Sequence, residues 1–135
     1  ATIYLQGAQA PEQALRRIRA LGMKAGLALA PDEAFDLAAP YAPDLDLLLV
    51  MGVRPGFSGQ SFQATCLETI RTAAAYRKAN QQSWLISVDG GIDLQNGPQC
   101  AGEGADMLVM GAFTFYQGGL SQERIRACRR VLDVW

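Results

Sequence analysis

Residues 45–62 read LDLLLVMGVRPGFSGQSF. The first half is apolar except for Asp46 and stops at a glycine. A run this short is read as a strand, not a helix. Its apolar side chains fall on both faces, so burial on both faces is expected. The second half places Gly56 and Gly59 around Phe57 and directly after Pro55. Glycine gives up more conformational freedom on folding than other residues. A loop that uses it twice is expected where something comes close to the backbone.

The rest of the chain repeats this strand-then-loop pattern. TIYL, KAGLAL, SWLISVDGG and ADMLVMGAF read as further strands, beginning at residues 2, 24, 83 and 105. Between them lie amphipathic stretches. APEQALRRIRALG carries Ala14, Leu15, Ile18 and Leu21 at helical spacing and Gly22 at its end. PDEAFDLAAPY reads as a short helix opened by Pro31, with acidic residues in its first turn. QATCLETIRTAAAYRKAN is a longer helix. LQNGPQCAGEG is helix-like, with a break expected near Gly97-Pro98, and Asp93 is placed to cap it. SQERIRACRRVLDVW closes the chain with Ser121 as N-cap. Five strand–helix units result, at roughly 27 residues each, a spacing that fits βα repeats. The fold class is therefore α/β, with a parallel sheet covered by helices. Two architectures answer to that description, an open doubly wound sheet and a (β/α)8 barrel. Five units complete the first; the second typically needs about 200 residues or more.

Composition narrows the function. The 135 residues suit a single domain, half apolar and 19% charged, with a formal net charge of −1. No basic block is present, so no nucleic-acid partner is expected. No apolar run approaches about 18 residues, so no membrane span is expected. The N-terminus lacks the pattern of a signal peptide. Cys66, Cys100 and Cys128 are far apart and form no CxxC pair. They read as reduced thiols of a cytoplasmic protein. The chain has no histidine, which excludes a Ser-His-Asp triad or a histidine-ligated metal built from its own residues.

Three glycine turns follow strands: RPGFSGQ, VDGGI and VMGAF. The C-terminal ends of parallel strands are where ligand sites form in both architectures. Glycines there let backbone N–H groups point at an anion such as phosphate. For a single glycine, a tight turn is a sufficient reason; three successive strand ends favour phosphate. Asp89 ends the fourth strand beside these turns, where a carboxylate serves as general base, metal ligand or turn former. Arg54 and Gln6 are candidate substrate contacts at the same end, and Met51 lies on the third strand. Asp32 and Asp36 are expected on a solvent-facing helix, and Asp106 ahead of a strand.

Four segments, GMKAGLALAP, LLLVMGVRPGFSGQSF, SVDGGI and GADMLVMGAFTF, resemble in order and spacing the second half of the ribulose-phosphate 3-epimerase family. The resemblance implies strands four to eight of a TIM barrel, so a partial (β/α)8 barrel in one domain. It implies an isomerase that inverts the carbon next to the carbonyl of a ketose phosphate, with two aspartates exchanging protons and a divalent metal (Zn, Fe, Mn or Co) stabilising the enediolate. On that resemblance Asp89 is both acid/base and metal ligand. Gly56, Ser58, Gly59, Gln60, Gly90, Gly91, Gly111 and Ala112 fall at the substrate phosphate, and Met51 lines the site. The family's other metal ligands and the partner aspartate belong to strands two and three, which have no counterpart here. The chain also departs from the family pattern at Leu5-Gln6-Gly7-Ala8, Ala30-Pro31, Arg54 and Gly111 to Phe115. Three readings follow: part of a sugar-phosphate epimerase, inactive in isolation; a non-catalytic phosphate-sugar-binding paralogue; or another phosphate-binding barrel isomerase or synthase. The expected partner is a sugar phosphate, and a homo-oligomer covering the open barrel edge is compatible with the pattern.

Overall fold

The computed structural model describes residues 1–56, 60–115 and 122–132. Its strands are β1 (Thr2–Tyr4), β2 (Gly26–Leu29), β3 (Leu47–Met51), β4 (Leu85–Asp89) and β5 (Met107–Val109). Its helices are α1 (Pro11–Ala20), α2 (Cys66–Ala79), α3 (Asn96–Gly102), α4 (Gly111–Phe115) and α5 (Gln122–Leu132). All strand pairs are parallel, and the order in the sheet is the order in the chain, β1-β2-β3-β4-β5. A doubly wound sheet reverses its strand order at a switch point. This sheet has no reversal, so it is five consecutive units of a (β/α)8 barrel.

Two expected elements differ. Residues 31–41 do not form one helix. Two 3-10 helices occupy the crossover instead, Phe35–Leu37 and Ala39–Asp44. Pro40 and Pro43 each lack an N–H and clash with the carbonyl of the preceding turn, so an α-helix cannot run through. Short 3-10 pieces tolerate them. In the opposite sense, α3 does not break at Gly97-Pro98. The helix begins at Asn96, which puts Pro98 in the first turn, where an N–H has no partner to lose. Asp93 does cap this segment: its Oδ1 accepts from the N–H groups of Gln95 and Asn96 at 2.8 and 3.0 Å. The Ser121 cap lies outside the described residues.

The sheet has one finished face. Leu27, Leu48 and Ile86 stand side by side in register, as do Leu29, Val50 and Val88, and all six are fully buried. They pack with Leu15, Ile70, Ala73, Cys66, Cys100 and Trp84 into one core under the helices. Phe35 ties the crossover to that core, its ring 5.9 Å from Trp84 and 5.1 Å from Tyr76. The other face, the barrel interior, is not finished. Gly26, Leu47 and Leu85 form one layer; Tyr4, Ala28, Leu49, Ser87 and Met107 the next; Met51, Asp89 and Val109 the third. The expectation that β3 is buried on both faces is therefore corrected: Leu47, Leu49 and Met51 are half-buried, and Leu85, Met107 and Val109 are 44%, 46% and 44% exposed. Barrel interiors are filled by side chains from strands all around the barrel, and five strands supply one wall.

Two aspartates clamp the opposite, N-terminal end of the sheet in the same way. Asp46, just ahead of β3, accepts from the Ala25 N–H at 2.9 Å and from Lys24 Nζ at 3.1 Å. Asp106, just ahead of β5, accepts from the Ile86 N–H at 2.7 Å and pairs with Arg77, which also donates to the Trp84 carbonyl and lies over the Trp84 ring. Hydrogen bonds from Ala25 and then Lys24 hold the Asp46 carboxyl below the usual carboxylate range. A depressed folded-state pKa contributes stability above the unfolded value and loses it as pH falls through the folded one. Replacing Asp46 by alanine orphans the Ala25 N–H, and the expected cost in urea unfolding at neutral pH is about 1–3 kcal/mol. The gap between variant and parent should shrink below about pH 4. A gap that stays constant down to about pH 2 would show that the charged form is not what the clamp uses.

Candidate functional site

The strand ends meet at the C-terminal mouth, and the tightest contact is between the turns after β3 and β4. The Gly52 N–H donates to the Asp89 carbonyl at 2.7 Å, and the Gly52 carbonyl accepts from the Gln63 N–H at 2.8 Å. A Cβ on Gly52 would stand 2.3 Å from the Gly90 oxygen. A Cβ on Gly90 would stand 2.6 Å from Val53 Cγ2, and one on Gly91 would stand 2.9 Å from the Phe62 nitrogen. Gly90 and Gly91 also have positive φ, +113° and +67°, a region that favours glycine. The close approach lies at Gly52, Gly90 and Gly91, where the approaching group is the neighbouring loop; at Gly56, one of the two glycines on which the expectation rested, no such contact is present among the described residues, and Gly59 lies outside them. Gly52, not singled out in the sequence, is its tightest point; its place directly after an apolar strand was the available signal.

Two other glycines sit differently. Gly111, which follows β5 and opens α4, and Gly56 each face open space among the described residues where a side chain would be, although Gly56 shares the positive φ, at +123°. At Gly111, with Ala112 after it in the first turn of α4, nothing in the packing demands a missing side chain. Room for a ligand is a reason that remains. Ser58 and Gly59 lie outside the described residues.

Asp89 stands in register between Met51 and Val109 on the interior face. It is half-buried, and among the described residues its carboxylate has no hydrogen-bond or ion-pair partner. The neighbouring loop is braced by Asn96, whose amide donates to the Gly91 carbonyl at 2.9 Å and accepts from the Asp93 N–H at 2.9 Å. Arg54 is engaged elsewhere: its guanidinium donates to Asp32 at 2.6 Å, tying the loop after β3 to the turn after β2. Gln60 donates from its side chain to the Arg54 carbonyl at 2.7 Å. Asp32 is thus in a turn and paired, not on a solvent-facing helix. Gln6 lies past the end of β1 and is exposed.

Tyr4 was missed in the sequence. Its alternation places it on the interior face in the layer beneath Asp89, where small Ala28 beside it leaves room for a ring. The phenol oxygen is buried without a hydrogen-bond partner among the described residues. Burial first, then the charges of Glu33 and Asp89, push its pKa up, so it is a neutral donor at physiological pH.

The residues present do not compose a metal centre. Among the described residues no three Cys, Asp or Glu side chains converge, and Asp89 offers one ligand. All three cysteines are free and buried. Desolvation pushes the Cys66 thiol up to about 11 and the Cys100 thiol up to about 12, which makes them inert core residues.

A family model described as the ribulose-phosphate 3 epimerase family matches residues 2–115. The chain belongs to that family. Ribulose-phosphate 3-epimerase of Chlamydia pneumoniae is 36% identical over 123 residues, which cover 90% of this chain and 54% of that protein. Ribulose-phosphate 3-epimerase of Treponema pallidum (strain Nichols) is 37% identical over 119 residues, 88% of this chain and 54% of that protein. The chain spans about half the length of the curated relatives it matches. A solved structure described as "Native KDPGal structure" superposes with a TM-score of 0.54 over 98% of this chain and 60% of its own, at 18% identity, a likeness of fold alone. Among the described residues no helix is long and apolar enough to cross a membrane.

The two kinds of glycine separate by experiment. Gly90→Ala should destabilise the chain by about 1–3 kcal/mol, through clash and strain. Gly111→Ala should leave its melting temperature unchanged or slightly raised, since alanine outranks glycine inside a helix. Equal losses in thermal unfolding would mean that Gly111 is also fixed by packing.

Proposed function

We propose that this chain carries the phosphate-binding, Asp89-bearing half of a ketose-phosphate 3-epimerase, acting on D-ribulose 5-phosphate or a related ketose phosphate. The observation that carries it is the Asp89 carboxylate at the barrel mouth, unpartnered among the described residues and in register with Val109 two residues before Gly111, in a chain of this family. The carbon next to a carbonyl loses a proton to a base, and its electron pair moves to the carbonyl oxygen, giving an enediolate. Asp89 takes that proton. Returning one to the opposite face of the same carbon inverts the centre with no net redox change. The returning group needs a second position across the mouth.

The phosphate end of the substrate lies against the turns after β3, β4 and β5. Gly111 and Gly56 have the open approach this requires, and Ser58, Gly59, Gln60, Gly90, Gly91 and Ala112 complete the cradle. Met51 and Gln6 flank the sugar. Arg54 orders the loop through Asp32 and does not itself meet the anion. A divalent metal would take Asp89 as one ligand with the rest supplied from outside this chain, and would supply positive charge to the enediolate. The second acid/base belongs to the part of the family's barrel that this chain does not span, and the exposed Leu85, Met107 and Val109 are the surface that part would cover. A cytoplasmic location fits the free thiols.

In the full-length natural protein, Asp89→Asn should lower exchange of the substrate's C3 proton with heavy water by at least about 100-fold, read by NMR of the recovered sugar phosphate. Gly111→Val should weaken ribulose 5-phosphate binding in calorimetry while leaving the fold intact by circular dichroism. Exchange that persists in Asp89→Asn would remove Asp89 from the chemistry. Binding without any exchange in the parent protein would instead support the non-catalytic paralogue, a reading favoured by the absence of histidine.

A further inference from the structure

Helix α5 carries four of the chain's twelve cationic residues, Arg124, Arg126, Arg129 and Arg130, in a protein whose net charge is −1. Most other cations are spoken for: Arg16, Arg19, Lys24, Arg54, Arg71 and Arg77 each lie within salt-bridge distance of a carboxylate. Among the described residues Arg126, Arg129 and Arg130 have no such partner. Favourable interaction with the negative end of the helix accounts for Arg129 and Arg130 in the last turn. It does not account for Arg126, a full turn earlier, which stands one helical turn from Arg130 and repels it.

Arg126 and Arg130 point into one cleft of about 690 Å³, together with Arg124, Leu94 and Phe113. That volume is in the range of small-molecule sites. Leu94 lies three residues beyond Gly91 and Phe113 two beyond Gly111, so the cleft is walled by the segments that follow the glycine turns. Arg124 is already oriented there, donating to the Phe113 carbonyl at 3.2 Å with its guanidinium over the Phe113 ring. Glu123 on the rim is the one acidic residue among those lining it.

We propose that this cleft is an anion-binding site for a phosphate ester or polyphosphate carrying at least two negative charges, held by Arg126 and Arg130 with its uncharged part against Leu94 and Phe113. Two guanidinium forks one turn apart match two charged oxygens or phosphoryl groups, and their mutual repulsion is relieved when the anion binds. The site uses neither Asp89 nor the backbone of Gly111, so it stands whether or not the epimerase reading holds.

Inorganic pyrophosphate is the probe, titrated into the full-length natural protein at low salt with calorimetry and amide NMR. Binding is expected, with the Leu94 and Phe113 amides shifting and affinity falling as salt rises. Arg126→Gln/Arg130→Gln should weaken it at least tenfold, and Arg16→Gln/Arg17→Gln, which removes the same charge from α1, should weaken it far less. No binding up to about 1 mM pyrophosphate would overturn the assignment and point to acidic residues elsewhere in the protein as partners of α5. An equal loss in both double variants would reduce the effect to bulk charge and also overturn it. So would binding that survives in Arg126→Gln/Arg130→Gln but is lost in Gly111→Val, which would put the anion on the glycine turns.

Discussion

One hydrogen bond joins the ends of β3 and β4 above the last rung of the sheet, from the Gly52 N–H to the Asp89 carbonyl at 2.7 Å. Bringing the two turns that close leaves no volume for a Cβ at Gly52, Gly90 or Gly91. Close-packed interiors do not absorb such overlaps cheaply, so these glycines follow from the approach. The consequence is positional. The residue whose carbonyl is pinned is the residue whose carboxylate faces the mouth, and the backbone that carries Asp89 is fixed by its neighbour on one side and by β5 on the other. Among the described residues Gly111 is under no such packing constraint, and the contrast separates glycines fixed by assembly from one that is not.

The finished and unfinished faces of the sheet explain why half a barrel can hold a site at all. Rows of Leu, Ile and Val on the helix side are fully buried and locked against α2, α3 and the Phe35 crossover. Parallel strands secured on one face keep their register, because a slip of one residue would turn those rows into the open interior. The clamps at Asp46 and Asp106 hold the far end of the same strands. Geometry at the mouth of β3, β4 and β5 is therefore set without help from the opposite wall. Exclusion of water is not. Leu85, Met107 and Val109 are in contact with solvent, and an exposed apolar face of this kind marks a surface that normally meets a partner.

Much of this was legible in the residues. Alternating apolar runs and amphipathic stretches gave the βα repeat, and the glycine turns gave the end at which a site would form. Asp89 stood out because a carboxylate ended an apolar strand. The failures share a cause: they concern what a neighbouring strand or loop does, which local pattern does not carry. The spacing of apolar residues in 31–41 suggested a helix, but Pro40 and Pro43 are compatible only with 3-10 turns. The uniform apolarity of β3 suggested burial on both faces, though burial depends on whether an opposite wall exists. Tyr4 looked like an ordinary strand residue. Only the register shows it sharing the interior with Ser87 and lying beneath Asp89. Arg54, a candidate substrate contact from its place beside the glycine loop, has an ion-pair partner in Asp32 that local pattern does not reveal.

Asp89 stands half-buried at the mouth, with no side-chain partner among the described residues. Catalytic carboxylates gain strength from surroundings that exclude water and fix dipoles around the developing charge. On one side of Asp89 the surroundings are fixed: Asn96 and Asp93 lock the loop after β4, and Gly111 is open among the described residues. On the other side the interior-facing Leu85, Met107 and Val109 of these five units are exposed. Holding an anion by backbone donors would need only a turn and an approach. Inversion at carbon, on the proposed epimerase reading, needs in addition a second proton-transfer group on the other face of the sugar. On that reading, what one wall positions and what two walls enclose divide as binding a substrate divides from turning it over.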